Sequence, residues 1–520
     1  MIVPNSKIIL LKTPMELNDS NTLSFATETE KYNYFHGLTK LELTGATYQR
    51  KEGVVRYPTD PPNLSYEDLQ EYNYCMYQNT NYDSKWFYAY IDDITYKNDG
   101  MCEIKLKSDP FMCWQNDIIY KSSFIERQHV SDDTIGKHTV PEGLETGEYI
   151  VLTSASDIQN ISLDCVVSTS LTSGEMEYIF GGSYNGIPSG LIYQRYALNE
   201  ISGTTGSTLQ AYLTMLANAG KTSAVSSIFL APKWLTGNTT NHYVPTSSSV
   251  STFDFTINRI SAIDTYVPKN NKLFTYPYCF TELSNNQGSS AILHQELWGD
   301  DVTTGFVGVR VFGSLCPGCS IRAVPKNYKG LSFNYNEGVN LGKFPQINWV
   351  TDAYTNWLTQ NGVNIATSVG SGILSTGIGL SRGNPIATAG GFLSIARSIG
   401  EVYKHSLVPP QVEGNTNCGD VATSAAYNCF ILYNKSIRRE YAKIIDDYFT
   451  MYGYKVNSLE VINPHKRTYF DYIKTIGCNI IGNIPQKDME EIRRLFDNGI
   501  TIWHDPTKFL DYSVTNSIIS

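Results

Sequence analysis

KWFYAYIDDITYKNDGMCEIKLK, residues Lys85 to Lys107, carries two runs rich in aromatic and β-branched side chains, Lys85–Tyr96 and Met101–Lys107, on either side of Asn98-Asp99-Gly100. Asn, Asp and Gly tolerate the left-handed backbone that a tight hairpin turn requires, so the stretch is expected to be two antiparallel strands. The same pattern extends outward. Ser108-Asp109-Pro110 starts a short turn into Phe111–Trp114, and Ser123–Val130 reads as another strand. The whole chain has 36 Tyr but is only 17% charged, a composition that favours strands with one polar face. At 520 residues it exceeds one typical core, and two to four domains are expected. The fold class is mainly β with some α.

Five stretches differ in character. Residues 1–130 are β-rich. Residues 131–270 are richer in Ser, Thr, Gly and Asn and read as a loop-rich inserted domain, with one helix at Thr208–Ala219 carrying Leu209, Tyr212, Leu213 and Leu216 on one face. Residues 271–345 are rich in hairpin signals: a strand at Lys272–Leu283 turning into Ser290–Leu297, then a hairpin over Phe306–Tyr328. Residues 346–412 hold a helix over Pro345–Gln360, with Trp349, Ala353 and Trp357 four apart, followed by an apolar loop. Residues 413–520 are α+β. A helix over Ser436–Tyr452 has Ile437, Tyr441, Ile444, Tyr448 and Met451 at helical spacing and stops at Gly453. After it come a strand at Asn479–Ile484, a helix at Gln486–Phe496 with Met489, Ile492 and Leu495 inward, and a strand at Ile500–His504.

The formal net charge of −10 argues against a general grip on nucleic acid, which needs clustered Lys and Arg. The apolar run Ile8–Leu11 is too short for a signal-peptide core, so synthesis in a cytoplasm without the usual export is expected. Ten scattered Cys fit reduced thiols better than a disulfide framework. Cys316-Pro317-Gly318-Cys319 lies between strand-like flanks and reads as a hairpin tip rather than a zinc or redox site.

No nucleophile elbow, phosphate-binding loop or paired-histidine zinc motif is present, and the eight His are well separated in sequence. Asp92 and Asp93 would face opposite sides of a strand, and Asp446 and Asp447 are read as the solvated face of a helix. The chain is therefore read as neither an enzyme nor a metal or cofactor binder. Carboxylates brought together from distant sequence, as in glycosidases, stay open.

Residues Asn361–Gly400, NGVNIATSVGSGILSTGIGLSRGNPIATAGGFLSIARSIG, carry only Arg382 and Arg397 as formal charges. Arg382-Gly383-Asn384-Pro385 splits them into two apolar arms. The candidate membrane-active side chains are Val363, Ile365, Val369, Ile373, Leu374, Ile378 and Leu380 in the first arm, and Ile386, Phe392, Leu393, Ile395 and Ile399 in the second. Val363–Ser381 would be about 28 Å long as a helix at ~1.5 Å per residue, just sufficient for a ~30 Å bilayer core. Thr367, Ser371, Ser375 and Gly379 recur every fourth residue, the small-residue face that lets helices approach closely in lipid. A flexible linker, or a loop buried inside an oligomer, would share much of this composition, although a linker rarely carries so many Ile and Leu.

Several longer strings resemble the tail knob, or distal tail tube, proteins of small short-tailed phages (podoviruses) of Gram-positive bacteria. They are Tyr77-Gln78-Asn79, Lys85-Trp86-Phe87-Tyr88-Ala89, Ser123-Phe124-Ile125 through His129-Val130, Tyr276-Pro277-Tyr278-Cys279 and Pro409-Pro410-Gln411. The C-terminal set is Tyr452-Gly453-Tyr454-Lys455, Glu491-Ile492-Arg493, Phe496-Asp497-Asn498-Gly499-Ile500-Thr501 and Trp503-His504. The resemblance runs nearly end to end and is weakest over 131–270. It implies several β-barrel-like domains forming a ring or tube, with 1–130, 271–345 and 413–520 in the wall, plus a long apolar loop. It implies a homo-hexamer at the virion tail tip, in contact with other tail proteins. Its loops would plug the lumen, with Ile365–Ile399 in that position, and on infection would enter the host cell membrane as a channel for the genomic DNA. The competing readings are a secreted pore-forming protein and a tail-associated protein that binds or hydrolyses glycans.

Overall fold

The computed structural model describes residues 6–17, 20–46, 53–61, 63–79, 85–156, 163–171, 184–185, 192–197, 200, 208–221, 224–236, 252–285, 288–298, 306–314, 320–329, 338–341, 346–348, 415–417 and 430–519. The chain is mainly β, as its composition suggests, and forms two compact units. The first unit gathers Met1–Glu145, Pro268–Leu273 and Glu440–Ser520; the second gathers Thr146–Val267 and Phe274–Arg439.

The first unit contains two sheets of four or more strands. One has six antiparallel strands in the order Lys40–Ala46, Ser6–Leu11, Tyr74–Asn79, Trp86–Asn98, Met101–Ser108, Val54–Pro58. The hairpin expected at Asn98-Asp99-Gly100 is there, with Asn98 opposite Met101 and the Gly100 N–H donating to Asn98 Oδ1 at 3.0 Å. The uninterrupted apolar run Ile8–Leu11 is explained by burial on both faces of its strand. Ile9 and Leu11 join one core with Met76, Tyr88 and Trp503, whereas Ile8 and Leu10 join another with Cys75, Tyr77 and Ile104. The second sheet runs Asn21–Leu23, Ile500–Trp503, Phe470–Ile476, Ser122–Gln128, Tyr454–Val461. The helix Gln486–Asn498 contributes Ile492, Leu495 and Phe496 to the same core as Ile125 and Ile473 of that sheet.

Among the described residues the second unit holds three sheets. Thr252–Asn258, Phe306–Ser314, Ser320–Pro325 and Val339–Leu341 form one, and Tyr149–Ser156, Ile431–Ile437, Cys279–Ser284 and Ser290–Leu293 form another. The third orders Tyr184–Asn185, Ile192–Ala197, Leu163–Thr169, Val225–Pro232, Gln346–Asn348 and Asn415–Asn417. The helix Leu209–Asn218 buries Leu209, Tyr212 and Leu216, the face read from its spacing. Ser314 pairs with Ser320, so the flanks of the Cys316–Cys319 stretch form the expected hairpin, while its tip lies outside the described residues.

Four local expectations need correction. Lys272–Leu283 is not one strand: Asn271–Phe274 is a 3-10 turn, Tyr276-Pro277 is a cis peptide, and the strand begins at Cys279. Gln346–Asn348 is a strand rather than the start of a helix, because it pairs with Ser227–Phe229; residues 349–360 lie outside the described residues. Ile437 ends a strand, and the following helix spans Arg439–Tyr452. That helix buries Ala442, Ile445 and Phe449, whereas Ile444 is 68% exposed and Tyr441, Tyr448 and Met451 are half-buried. The buried face is thus offset by one position from the stripe of Tyr and Ile in the sequence. Asp446 moves with it: this carboxylate is buried, and only Asp447 faces solvent.

Candidate functional site

Every predicted membrane-active residue, from Val363 to Ile399, and every residue of the small-residue face, from Thr367 to Gly379, lies outside the described residues. Their immediate roots are described. Gln346–Asn348 and Asn415–Asn417 pair antiparallel, Gln346 opposite Asn417, Ile347 opposite Thr416 and Asn348 opposite Asn415. Asn348 and Asn415, the nearest described residues on either side of the segment, are thus direct partners in the sheet. Behind this two-strand stem lies Val225–Pro232, whose Ser227, Ile228 and Phe229 pair with Asn348, Ile347 and Gln346. The next strand inward, Leu163–Thr169, buries Cys165, Val166 and Val167. On that strand Asp164 accepts from Arg195 Nη1 and Thr236 Oγ1, each at 2.6 Å. Burial still pushes the Asp164 carboxyl above its usual range.

The places where the chain enters and leaves the first unit are held by carboxylates that are buried or half-buried. The Asp446 carboxylate accepts from the Lys269 N–H at 2.8 Å, the Asn270 N–H at 3.0 Å and Asn270 Nδ2 at 2.8 Å. Asp133 accepts from the Asn271 N–H at 3.0 Å and from Tyr454 Oη at 2.6 Å. Glu142 accepts from Arg127 and Lys272 side chains and from the Lys455 N–H at 2.9 Å. Burial lowers the Lys272 ammonium below its ordinary value, while Glu142 beside it favours the charged form. These groups fix the short insertion Pro268–Leu273 against the helix Arg439–Tyr452; their geometry is that of a clamp and not of an acid–base pair. Local sequence patterns could not show it, since every donor but Arg127 lies more than a hundred residues away.

The histidines that are scattered in sequence partly converge. The His465 and His504 rings lie 4.3 Å apart, and His504 Nε2 is 3.1 Å from Asp471 Oδ2. The same oxygen accepts from the Lys466 N–H at 2.9 Å and the Arg467 N–H at 3.1 Å, so Asp471 closes a tight turn. Among the described residues no group of three His, Cys, Asp or Glu is placed to hold a metal ion. Cys75, Cys102, Cys113, Cys165, Cys279 and Cys478 are free and buried. No described helix is long and apolar enough to cross a membrane.

His129 is fully satisfied and neutral. Its Nδ1 accepts from the Tyr472 N–H at 2.8 Å, and Nε2 donates to the Thr450 carbonyl at 3.0 Å. Burial lowers its pKa from 6.5 to about 4. An unfolded chain takes up this proton near pH 6.5 and the folded one does not, so stability from this group is complete above pH 6.5 and is lost as pH falls toward 4. At ~1.4 kcal/mol per pH unit the loss amounts to about 3 kcal/mol. Thermal unfolding should show wild type well above His129→Leu at pH 7, with the gap narrowing steadily toward pH 4. A constant gap across that range would remove His129 as the cause.

Comparison with known proteins covers almost the entire chain. Residues 239–517 match the family described as Bacillus phage phi29, Tail knob protein gp9, C-terminal domain. Residues 4–121 match the Caudoviral major tail protein N-terminus. The chain is 25% identical to tail knob protein gp9 of Bacillus phage PZA and 24% identical to that of Bacillus phage phi29, over 98% of both chains in each case. Its fold is similar to the structure of the bacteriophage C1 tail knob protein, gp12, with a TM-score of 0.64 and 16% identity, over 99% of this chain and 100% of that one.

Proposed function

The chain belongs to the tail knob protein family defined by phage phi29 gp9, a family of structural tail proteins, and from this we propose that it builds a homo-hexameric distal tail tube with a releasable membrane-active plug. Before infection the apolar arms within Val363–Ile399 fill the lumen of the tube, each shielding its sisters from water. Burial at ~25 cal/mol per Å2 of apolar surface keeps them there until the distal end opens. On host contact they leave the tube, and the Thr367, Ser371, Ser375 and Gly379 faces let the arms pack as helices in the host cell membrane. One arm alone inserts only marginally, because its glycines and hydroxyls offset its Ile and Leu. Several arms delivered together form the channel through which the phage genome passes. The acidic balance of the chain suits a conduit whose wall does not hold phosphate.

The observation that carries this reading is the antiparallel stem of Gln346–Asn348 and Asn415–Asn417. Whatever conformation the arms take, they are tethered at one point of a sheet, so they can move without unravelling it. The stem also makes the decisive test practicable. Replacing Val363–Ile399 with a short Gly/Ser bridge should leave folding and ring formation intact while abolishing dye leakage from liposomes and genome delivery. Leakage at the wild-type level would overturn the assignment of the arms. Loss of glycan hydrolysis on single Asp or Glu changes, with leakage untouched, would favour the tail-associated hydrolase instead.

A further inference from the structure

We infer that the outer face of the sheet containing Ser122–Gln128 is the surface on which a second copy of this chain seats, an inference that rests on the multimeric reading above and locates one of its contacts. Three neighbouring strands of the first unit place apolar side chains in direct register on that face. Phe124 is opposite Leu459 on one side and opposite Ile476 on the other. Leu459 is 73% and Ile476 59% exposed, and Val461 extends the row along its strand. Just beyond the end of these strands, Ile119 pairs with Ile481, both exposed. The alternate residues point the other way: Ile125, Ile473 and Ile480 lie in the core with Phe496. The outward side chains are not members of the buried core of the unit that carries them.

Six side chains so exposed bare on the order of 500 Å2, near the upper limit of ~300–600 Å2 for a typical monomer's largest apolar patch. That approaches the ~800 Å2 per partner of a standard protein interface. The bordering charges Glu126 and Lys474 are paired with each other at 2.8 Å. They supply no net positive field for an anionic membrane or for nucleic acid. A neutral, strongly apolar face suits an obligate protein contact, and a sister copy is the partner present at high local concentration as soon as the chain folds. The contact is made by side chains and not by strand addition. Tyr454–Val461 is the edge strand, and its free edge is interrupted by a bulge between Lys455 and Ser458, with Asn457 at φ 48.

The test uses the full chain, with Leu459→Asp and Phe124→Asp made singly and native mass spectrometry read across a concentration series. Wild type is expected as a multimer, and each variant should need at least tenfold more protein to reach the same assembled fraction. Circular dichroism and the thermal midpoint should match wild type, since the replaced groups face outward; if either variant misfolds, Ile476→Lys takes its place. Assembly of folded variants at wild-type concentrations overturns this surface while leaving the multimeric reading standing. A wild-type monomer at all concentrations overturns both. Flotation with phosphatidylglycerol vesicles supplies a further arm: variants that assemble normally but lose vesicle binding would make the face a lipid contact.

Discussion

Gly453→Ala is expected to cost more stability than any other single methyl group added to the first unit. Gly453 follows the helix Arg439–Tyr452 with φ 63, and its carbonyl accepts from Arg127 Nη1 at 2.8 Å. A Cβ built there would lie 2.1 Å from the Gln128 carbonyl oxygen and 2.5 Å from the His129 nitrogen. Both are main-chain atoms of a central strand, so no side-chain rotation relieves the clash. The left-handed backbone adds about 1–2 kcal/mol for any residue with a Cβ, and overpacking adds about 1–3 kcal/mol or more. Together these approach the stability of a small domain, ~5–15 kcal/mol. Denaturant unfolding should find the variant at least ~3 kcal/mol less stable, or insoluble. Gly453→Asn should rescue little, because Asn accepts the backbone angle but still carries the clashing carbon. An alanine variant within experimental error of wild type would show that the helix and strand are not in such close contact.

Glu142→Gln should have the next largest effect. The Glu142 side chain is fully buried, the Lys272 side chain is 3% exposed and the Arg127 side chain 10%. Removing the one carboxylate that both cations share leaves two buried positive charges, and breaking a buried pair in this way costs about 3–5 kcal/mol. Lys272 Nζ also lies 5.3 Å from the Tyr454 ring centroid, which moderates the loss without replacing the charge. The double variant Glu142→Gln, Lys272→Met should recover part of the stability, since an apolar chain of similar length then fills the site. Chemical unfolding of the single and double variants measures this. If the double variant is less stable than the single one, the penalty comes from lost packing and not from the stranded charge.

The sequence was most legible where one physical constraint acts locally. The Asn98-Asp99-Gly100 hairpin needed only its turn chemistry, and the helix Leu209–Asn218 only its spacing. The helix Arg439–Tyr452 carries two stripes, and its buried face lies one position away from the more apolar one. Tyr441, Ile444 and Tyr448 look like an inward face, yet the inward face contains Asp446. That aspartate is buried because the Lys269 and Asn270 N–H groups, supplied by a distant insertion, meet it there. Gln346–Asn348 was read as helix from the Trp spacing after it, while its partner strands lie far away in sequence. The apolar segment itself was conspicuous by composition alone. What its composition does not reveal is that the strands Gln346–Asn348 and Asn415–Asn417 on either side of it pair with each other, a three-residue pairing between positions distant in sequence.

The first unit is sewn from both ends of the chain. Asn21–Leu23 pairs in parallel with Ile500–Trp503, and Ser122–Gln128 lies between Phe470–Ile476 and Tyr454–Val461. A ribosome that has made only the first four hundred residues has therefore released half a sheet, with its apolar side chains still lacking their covers. Closure waits until Tyr454–Trp503 has been made, and ordering so long a loop slows it further. A polypeptide that stops short of residue 454 cannot complete this unit. Its uncovered strands are left to aggregation and proteolysis.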